Sequence, residues 1–336
     1  MNTYLAKTEF AAWPGRLMRR LRRRRNDLCI NIVAYHSIAQ ETNVLTAGTD
    51  LRHDPAEFER HLDYLVEHYR PVSLSELVTG LESGRPPRRA VVITIDDGFA
   101  DSIRQAAAIL FRRRIPATIF PVTSVIGNTD LMWQHKLAWL LANGHESLVR
   151  DALRAEHYPA IGEGESIVDF TRRCFRADLP DILECVLRRT GGTGRELAGR
   201  MRPYLEPEDI AHADRQFVEF GNHTHTHPVL SALTIEQQRA EIVTARDAII
   251  SLAGRPPFAL AYPFGLKRHY NTESQRVARE TGHRAALDLR RRINVGRVHP
   301  FELSRKPAPR GSLENFEKLI EDWPANAPLP PPGGIE

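Results

Sequence analysis

The sequence predicts an α/β fold built on parallel strands, either an open sheet or a β/α barrel. Short β-branched segments alternate with helical segments along most of the chain. The composition is that of a globular protein, with 42% hydrophobic and 26% charged residues among 336. Acidic residues and histidines follow several of the predicted strands, and the carboxyl ends of barrel strands are where active sites lie.

Five segments have the length and β-branched content of buried strands. In chain order they are Leu28 to His36, Ala90 to Asp96, Ala117 to Val122, Phe217 to Phe220, and Phe258 to Pro263. A run that is apolar on both faces is typical of a parallel sheet covered by helices. We therefore predict that these five segments are the strands of the core.

Helices are predicted between the strands from capping residues and apolar stripes. Asp54 is a predicted N-cap with Pro55 at the first helical position. The apolar stripe of this helix is Phe58, Leu62, Leu65 and Val66. Residues 102–114 predict a second helix, and Thr234 with Gln237 forms a capping box for a helix that reaches Leu252.

The chain divides into three predicted regions: a basic N-terminal arm over residues 1–27, a barrel over 28–310, and a C-terminal helix with a Pro-rich tail over 311–336. The strand and helix alternation breaks at residues 125–215, which predict a helical insertion. Cys29, Cys174 and Cys185 have no CxxC spacing, so we expect reduced, buried thiols rather than disulfides.

The N-terminal arm carries an arginine-rich run at residues 16–27, but the net charge of the chain is only +4. A solvated basic arm is favoured over contact with a membrane surface, and nucleic-acid binding is not expected. Because no secretory signal pattern or apolar run of 18 residues is present, we expect a cytoplasmic protein with possible contact at the membrane periphery.

The stretch GNHTHTHPVLS places three histidines at alternate positions. In an extended segment, His223, His225 and His227 would share one face and form a three-histidine zinc site. In a loop or helical turn, His223 and His227 would face the same way, and a third ligand would come from elsewhere. A solvated surface loop is the third interpretation.

The stretch TIDDG ends the second predicted strand with adjacent carboxylates, Asp96 and Asp97, followed by Gly98. Because neighbouring side chains diverge at a strand end, one carboxylate can bind a metal while the other faces a substrate. Gly98 allows the chain to turn at once.

With AYPFG at residues 261–265, these stretches resemble the TFDDG, H(S/T)xxH and RxPYG motifs of the polysaccharide deacetylases of carbohydrate esterase family 4. The resemblance implies a distorted (β/α)7-type barrel with a helical insertion. It implies a divalent metal, zinc above cobalt, nickel or iron, bound by Asp97, His223 and His227, with His225 as a non-ligand. Asp96 would be the catalytic base.

The third motif implies an oxyanion-binding backbone N–H at Phe264, flanked by Tyr262 and Pro263. The sequence departs from the family in two places. Ala261 replaces the arginine that orients the catalytic aspartate, and we expect Arg305 to substitute for it. The C-terminal Leu-x-His motif is missing.

His36, after the first strand, resembles the general acid of circularly permuted deacetylases that begin with Tyr-His. A structural histidine is the alternative.

Other histidines and aromatic residues are weaker candidates. His53, His61 and His68 are expected at the surface of the first helix or beside it. Trp133, His135 and Trp139 could cover the active site, but core packing of the tryptophans is favoured.

The motifs together predict a metal-dependent hydrolase that removes acetyl from an N-acetylated carbohydrate. A related barrel enzyme acting on a non-sugar amide is the alternative within enzymes. An inactive carbohydrate-binding or scaffold protein is the alternative outside them.

Overall fold

Buried parallel strands form the centre of the computed structural model, which describes residues 30–46, 49, 51–294 and 298–321. The strands are β1 (Asn31–Tyr35), β2 (Ser37–Ile38), β3 (Arg52–His53), β4 (Arg70–Pro71), β5 (Ala90–Asp97), β6 (Ala117–Pro121), β7 (Val218–Phe220), β8 (Ala259–Ala261), β9 (Ala285–Asp288), β10 (Leu303–Ser304) and β11 (Lys306–Pro307). Every pairing between these described strands is parallel.

Helices cover this centre. They are α1 (Pro55–His68), α2 (Leu74–Glu82), α3 (Ala108–Arg113), α4 (Trp133–Ala142), α5 (Glu146–Ala155), α6 (Ile167–Arg173), α7 (Leu179–Arg189), α8 (Gly194–Met201), α9 (Pro207–Ala211), α10 (Ile235–Ala253), α11 (Thr272–Glu280) and α12 (Leu313–Glu321). Short 3-10 turns span Thr123–Val125, Leu230–Ala232, Lys267–His269 and Pro300–Glu302. Within the described part of the chain, none of these helices is long and apolar enough to cross a membrane.

The strand pairing runs in a ring. β1 pairs with β5 and β11, β5 with β6, and β6 with β7. Asn222, just after β7, bridges to Leu260 of β8, and β8 continues to β9 and β10. A single residue, Arg305, separates β10 from β11, so the pairing returns to β1. The predicted α/β class with parallel strands is confirmed, and an isolated bridge at Asn222 joins β7 to β8.

Local sequence explains the main elements. The Asp54 side chain accepts from Ala56 N at the start of α1, and Thr234 and Gln237 form the predicted capping box of α10. The predicted helix over 102–114 forms differently, because residues Ser102–Ala107 adopt a π-helix before α3 begins. Asp101 does not cap it, since its carboxylate accepts from Ser37 Oγ and Ile38 N instead.

Helices α4 to α9 lie within the predicted insertion. Helices α4 to α8 pack around one apolar cluster, whereas Ile210 of α9 packs in the cluster that includes residues of β1, β5 and β6. Leu183, Val186 and Leu187 of α7 face the first of these clusters. Cys185 lies on the opposite face of α7 and is exposed, so its predicted burial is wrong, and Cys174 is half-buried. Cys29, the N-terminal arm and the Pro-rich tail lie outside the described residues.

Candidate metal centre and active site

The predicted site residues gather at the carboxyl ends of neighbouring strands of the ring. They are His36 after β1, Asp96 and Asp97 at the end of β5, His223 and His227 after β7, and Phe264 after β8. Because the strands are parallel, their ends share one rim, and side chains far apart in the sequence come within contact distance.

Asp97, His223 and His227 form a compact cluster of donor atoms. Asp97 Oδ1 lies 3.6 Å from Nε2 of His223 and 3.6 Å from Nε2 of His227. The three donor atoms lie within 4.8 Å of one another, and all three residues are buried. Two imidazoles and one carboxylate suit a divalent transition metal and leave coordination positions for other ligands.

The histidine loop is a turn, so His225 does not join the cluster. Its Nδ1 lies 2.9 Å from Thr123 Oγ1 instead. Thr224 and His227 have positive φ of 65° and 60°, and Asp97 has 69°. Such non-glycine conformations cost of order 1–3 kcal/mol each and persist only where the surroundings impose them.

Glu241 of α10 holds this loop in place. Its carboxylate accepts from His225 N at 2.9 Å, Thr226 N at 2.8 Å and Thr226 Oγ1 at 2.7 Å. The Thr224 hydroxyl in turn accepts from His227 N. Sequence reasoning missed Glu241, because nothing in its local sequence links it to a loop 15 residues earlier in the chain.

A hydrogen bond orients the imidazole of His223, and burial sets the charge state of His227. His223 Nδ1 donates to the carbonyl oxygen of Ala261 at 2.8 Å, which directs Nε2 toward Asp97. Burial, with a contribution from the neighbouring His223, lowers the pKa of His227 to about 3. Burial opposes ionisation of Asp97, but the hydrogen bond of His223 and the nearby imidazoles hold its pKa well below the usual range. His227 is thus neutral and Asp97 ionised. Burial opposes protonation of His223, but the charges of Asp96 and Asp97 raise its pKa, so a cation that binds here would displace a proton from this ring.

Asp96 is held by Arg305 in a two-pronged ion pair. Nη1 lies 2.6 Å from Oδ1 and Nη2 lies 2.7 Å from Oδ2, and both side chains are buried. Burial opposes ionisation of Asp96, but the charges of Arg305 and His223 outweigh it and lower the pKa. The structure therefore brings Arg305 to the carboxylate from the gap between β10 and β11, while Ala261 contributes its carbonyl oxygen.

His36 lies near the same carboxylate oxygen of Asp96 as His223, whose Nε2 is 3.9 Å from Oδ2. His36 Nε2 is 4.0 Å from Asp96 Oδ2, and its side chain is 16% exposed. The imidazole is therefore close to the carboxylate and still open to solvent.

Phe264 occupies a tight turn after β8. Gly265 N donates to Pro263 O at 2.7 Å, and Phe264 has φ of 59°. The Phe264 N–H donates to none of the described residues. Its ring lies 4.7 Å from the His227 ring. Tyr262 does not enter the site: its hydroxyl donates to Phe301 O and its ring stacks on Tyr270, so a substrate contact by its side chain is not supported.

Two of the histidines expected at the surface are buried. His53 is 2% exposed and His61 is 1% exposed, and His61 stacks on Phe316 of α12. The surface prediction is wrong for both. α12 covers His61, and His53 packs edge-on against the rings of Tyr35 and His61. His68 is exposed as predicted.

The aromatic residues of the insertion pack as predicted. Trp133 is buried in the insertion core, Trp139 packs against it, and His135 Nδ1 lies 2.6 Å from the hydroxyl of Tyr204. Trp133 also contacts the site, since its Nε1 donates to His227 O.

Comparisons with known proteins agree with the motifs. The polysaccharide deacetylase family model matches residues 189–286, which include His223, His227 and Phe264. The Bacillus subtilis protein YxkH, whose name assigns it provisionally to the polysaccharide deacetylases, is 29% identical over 115 residues. That match spans 34% of this chain and 39% of the relative. The predicted resemblance to this family is confirmed.

Solved structures show the shared fold. The Streptococcus pyogenes deacetylase PplD, in complex with acetate, superposes with a TM-score of 0.59 at 18% identity, over 88% of this chain and 100% of that one. IcaB from Ammonifex degensii has a TM-score of 0.55 at 16% identity, over 87% of this chain and 95% of that one. At these identities the likeness concerns the fold.

Proposed function

We propose that this chain, which carries a polysaccharide deacetylase segment at residues 189–286, is a metal-dependent hydrolase that removes acetyl groups from N-acetylated sugars. One observation carries the proposal. The buried cluster of Asp97, His223 and His227 lies beside an ionised carboxylate, Asp96, and a partly exposed imidazole, His36. Metal-assisted amide hydrolysis uses this combination of a cation, a base and an acid.

Asp97, His223 and His227 would hold the cation, with zinc favoured and cobalt, nickel or iron as alternatives. A divalent cation in this position supplies Lewis-acid polarisation of the acetamide carbonyl and makes a water molecule more acidic. The hydrogen bond from His223 to Ala261 O keeps Nε2 available for this purpose.

Asp96 is the proposed base. It takes a proton from the water whose oxygen attacks the carbonyl carbon, and Arg305 orients its two oxygens and keeps them ionised. The backbone N–H of Phe264 is the proposed donor to the oxyanion that develops, since it has no partner among the described residues. His36 then protonates the sugar nitrogen as the C–N bond breaks, and acetate and the free amine leave.

The test is acetate release from a panel of N-acetylated glycans by metal-loaded protein. We expect Asp96→Asn and His36→Ala to lower kcat by about 10²–10⁴, the usual contribution of a general base or acid. Asp151→Asn and His68→Ala change exposed residues of the same types and serve as controls.

Two results would overturn the proposal. One is metal binding without acetate release from any sugar, which would favour a non-sugar amide substrate or a binding role. The other is full activity in Asp96→Asn.

A further inference from the structure

The first turn of α4, at the start of the helical insertion, lies against the metal-binding residue His227. Trp133 Nε1 donates to the carbonyl oxygen of His227 at 3.0 Å. The terminal amide of the next residue, Gln134, lies 2.5 Å from Nδ1 of the same imidazole. The insertion thus contacts both the backbone and the ring of one ligand.

A histidine that binds a cation through Nε2 carries its proton on Nδ1, and that N–H needs an acceptor. For His223 the acceptor is Ala261 O. For His227, Gln134 is the described residue whose side chain reaches Nδ1. A glutamine amide has an acceptor oxygen and a donor nitrogen of nearly the same shape, so half a turn about its last bond presents either one to the ring.

Little else holds the Gln134 amide in one orientation. With Nε2 toward His227, Oε1 is buried and meets no hydrogen-bond donor among the described residues. The other described contact of Nε2 is Met132 Sδ at 3.9 Å, which is a weak acceptor. His227 therefore decides which end of the amide faces it.

We propose that Gln134 is a positioning residue for the metal centre, whose Oε1 accepts the Nδ1–H of His227 and thereby directs Nε2 toward the cation. The helical insertion then contributes directly to the geometry of the metal centre. This inference rests on the metal-dependent function proposed above. When no cation is bound, the amide nitrogen can donate to a bare Nδ1 instead, so the amide turns with metal occupancy.

The affinity for Zn²⁺, measured by competition with a chromogenic chelator, tests the proposal without reference to catalysis. Gln134→Leu has nearly the same size but no acceptor, and we expect it to weaken binding about 10–100-fold, the usual effect of losing such a partner. Gln134→Glu retains only acceptors, so it should bind Zn²⁺ at least as tightly as the natural protein. Gln216→Leu makes the same change at an exposed position and should leave the affinity unchanged.

Absorption of the Co²⁺-loaded proteins gives a second measurement, because a displaced imidazole changes the ligand field. Urea unfolding of the metal-free variants establishes that Gln134→Leu is folded. Natural affinity in Gln134→Leu would overturn the proposal, as would equal losses in Gln134→Leu and Gln134→Glu. Absence of acetate release with normal metal binding would count against the proposed function and leave the role of Gln134 standing. If the natural protein binds no cation, both fail.

Discussion

Arg305→Met should destabilise the protein strongly because it removes one member of a fully buried ion pair. Arg305 makes two hydrogen bonds of 2.6 and 2.7 Å to Asp96, and neither side chain is more than 2% exposed. Removing one partner of such a pair typically costs about 3–5 kcal/mol, because the other charge is left buried and unpaired. Since domains have about 5–15 kcal/mol of stability, the variant should still fold.

Urea unfolding, followed by tryptophan fluorescence with a chelator present, measures this loss. Arg305→Lys should fall between the natural protein and Arg305→Met, because an ammonium keeps the charge but cannot span both oxygens. The double variant Asp96→Asn with Arg305→Met has no unpaired charge. We expect it to be more stable than Arg305→Met alone, with a coupling of about 0.5–3 kcal/mol. Additive effects of the two substitutions, or a loss below about 1 kcal/mol in Arg305→Met, would contradict the assignment of a strong buried pair.

Two further predictions concern residues outside the cluster of Asp97, His223 and His227. Glu241→Ala leaves two backbone N–H groups and the Thr226 hydroxyl without their acceptor. The free energy of unfolding in urea should therefore fall by about 1–3 kcal/mol, and Zn²⁺ should bind more weakly. Unchanged Zn²⁺ affinity would contradict the role of Glu241 in holding the loop. Burial lowers the pKa of His283 to about 4, so below pH 6.5 this histidine binds a proton in the unfolded chain but not in the folded protein. The free energy of unfolding should fall by up to about 3 kcal/mol from this group between pH 6.5 and 4, and His283→Gln should flatten that slope; an unchanged slope would refute it.

The sequence was sufficient to predict the positions of residues that directly follow a strand. Asp96, Asp97 and His36 each end or follow a run of buried residues, so their position on the rim follows from the strand itself. The turn in the histidine loop was not derivable from spacing alone, because an extended segment and a turn make different ligand sets from the same residues. The family resemblance favoured the i, i+4 pair, and the structure has that geometry.

The partners of these residues could not be placed with the same certainty. Arg305 and Asp96 are 209 positions apart, and Gln134 and His227 are 93 apart. The family resemblance led us to expect Arg305 near Asp96, but the local sequence predicts neither of these two contacts. Strand β9 escaped prediction for another reason: its sequence, AALD, has no β-branched residue, and its neighbours in the ring decide its conformation.

Two predictions of burial on α1 were wrong, those for His61 and Val66. His61 lies three residues after Phe58 and four before Leu65, which places it on the apolar face of the helix. Its polarity suggested the surface, but its position in the helix decided its burial. Val66 lies at the edge of the same stripe and is 48% exposed, so its predicted burial is wrong.

The ring closes where the last strand, interrupted at Arg305, meets the first. Val33 pairs with Lys306 and Ala34 with Pro307, so the residues that join the two strands lie 273 positions apart in the sequence. Arg305 immediately precedes β11, so the closure that pairs these strands also brings the guanidinium to Asp96. Without this pairing, the carboxylate of Asp96 would be buried without its counter-charge. A substitution that weakens the pairing of β1 with β11 therefore changes the charge balance of the rim as well as the order of the strands.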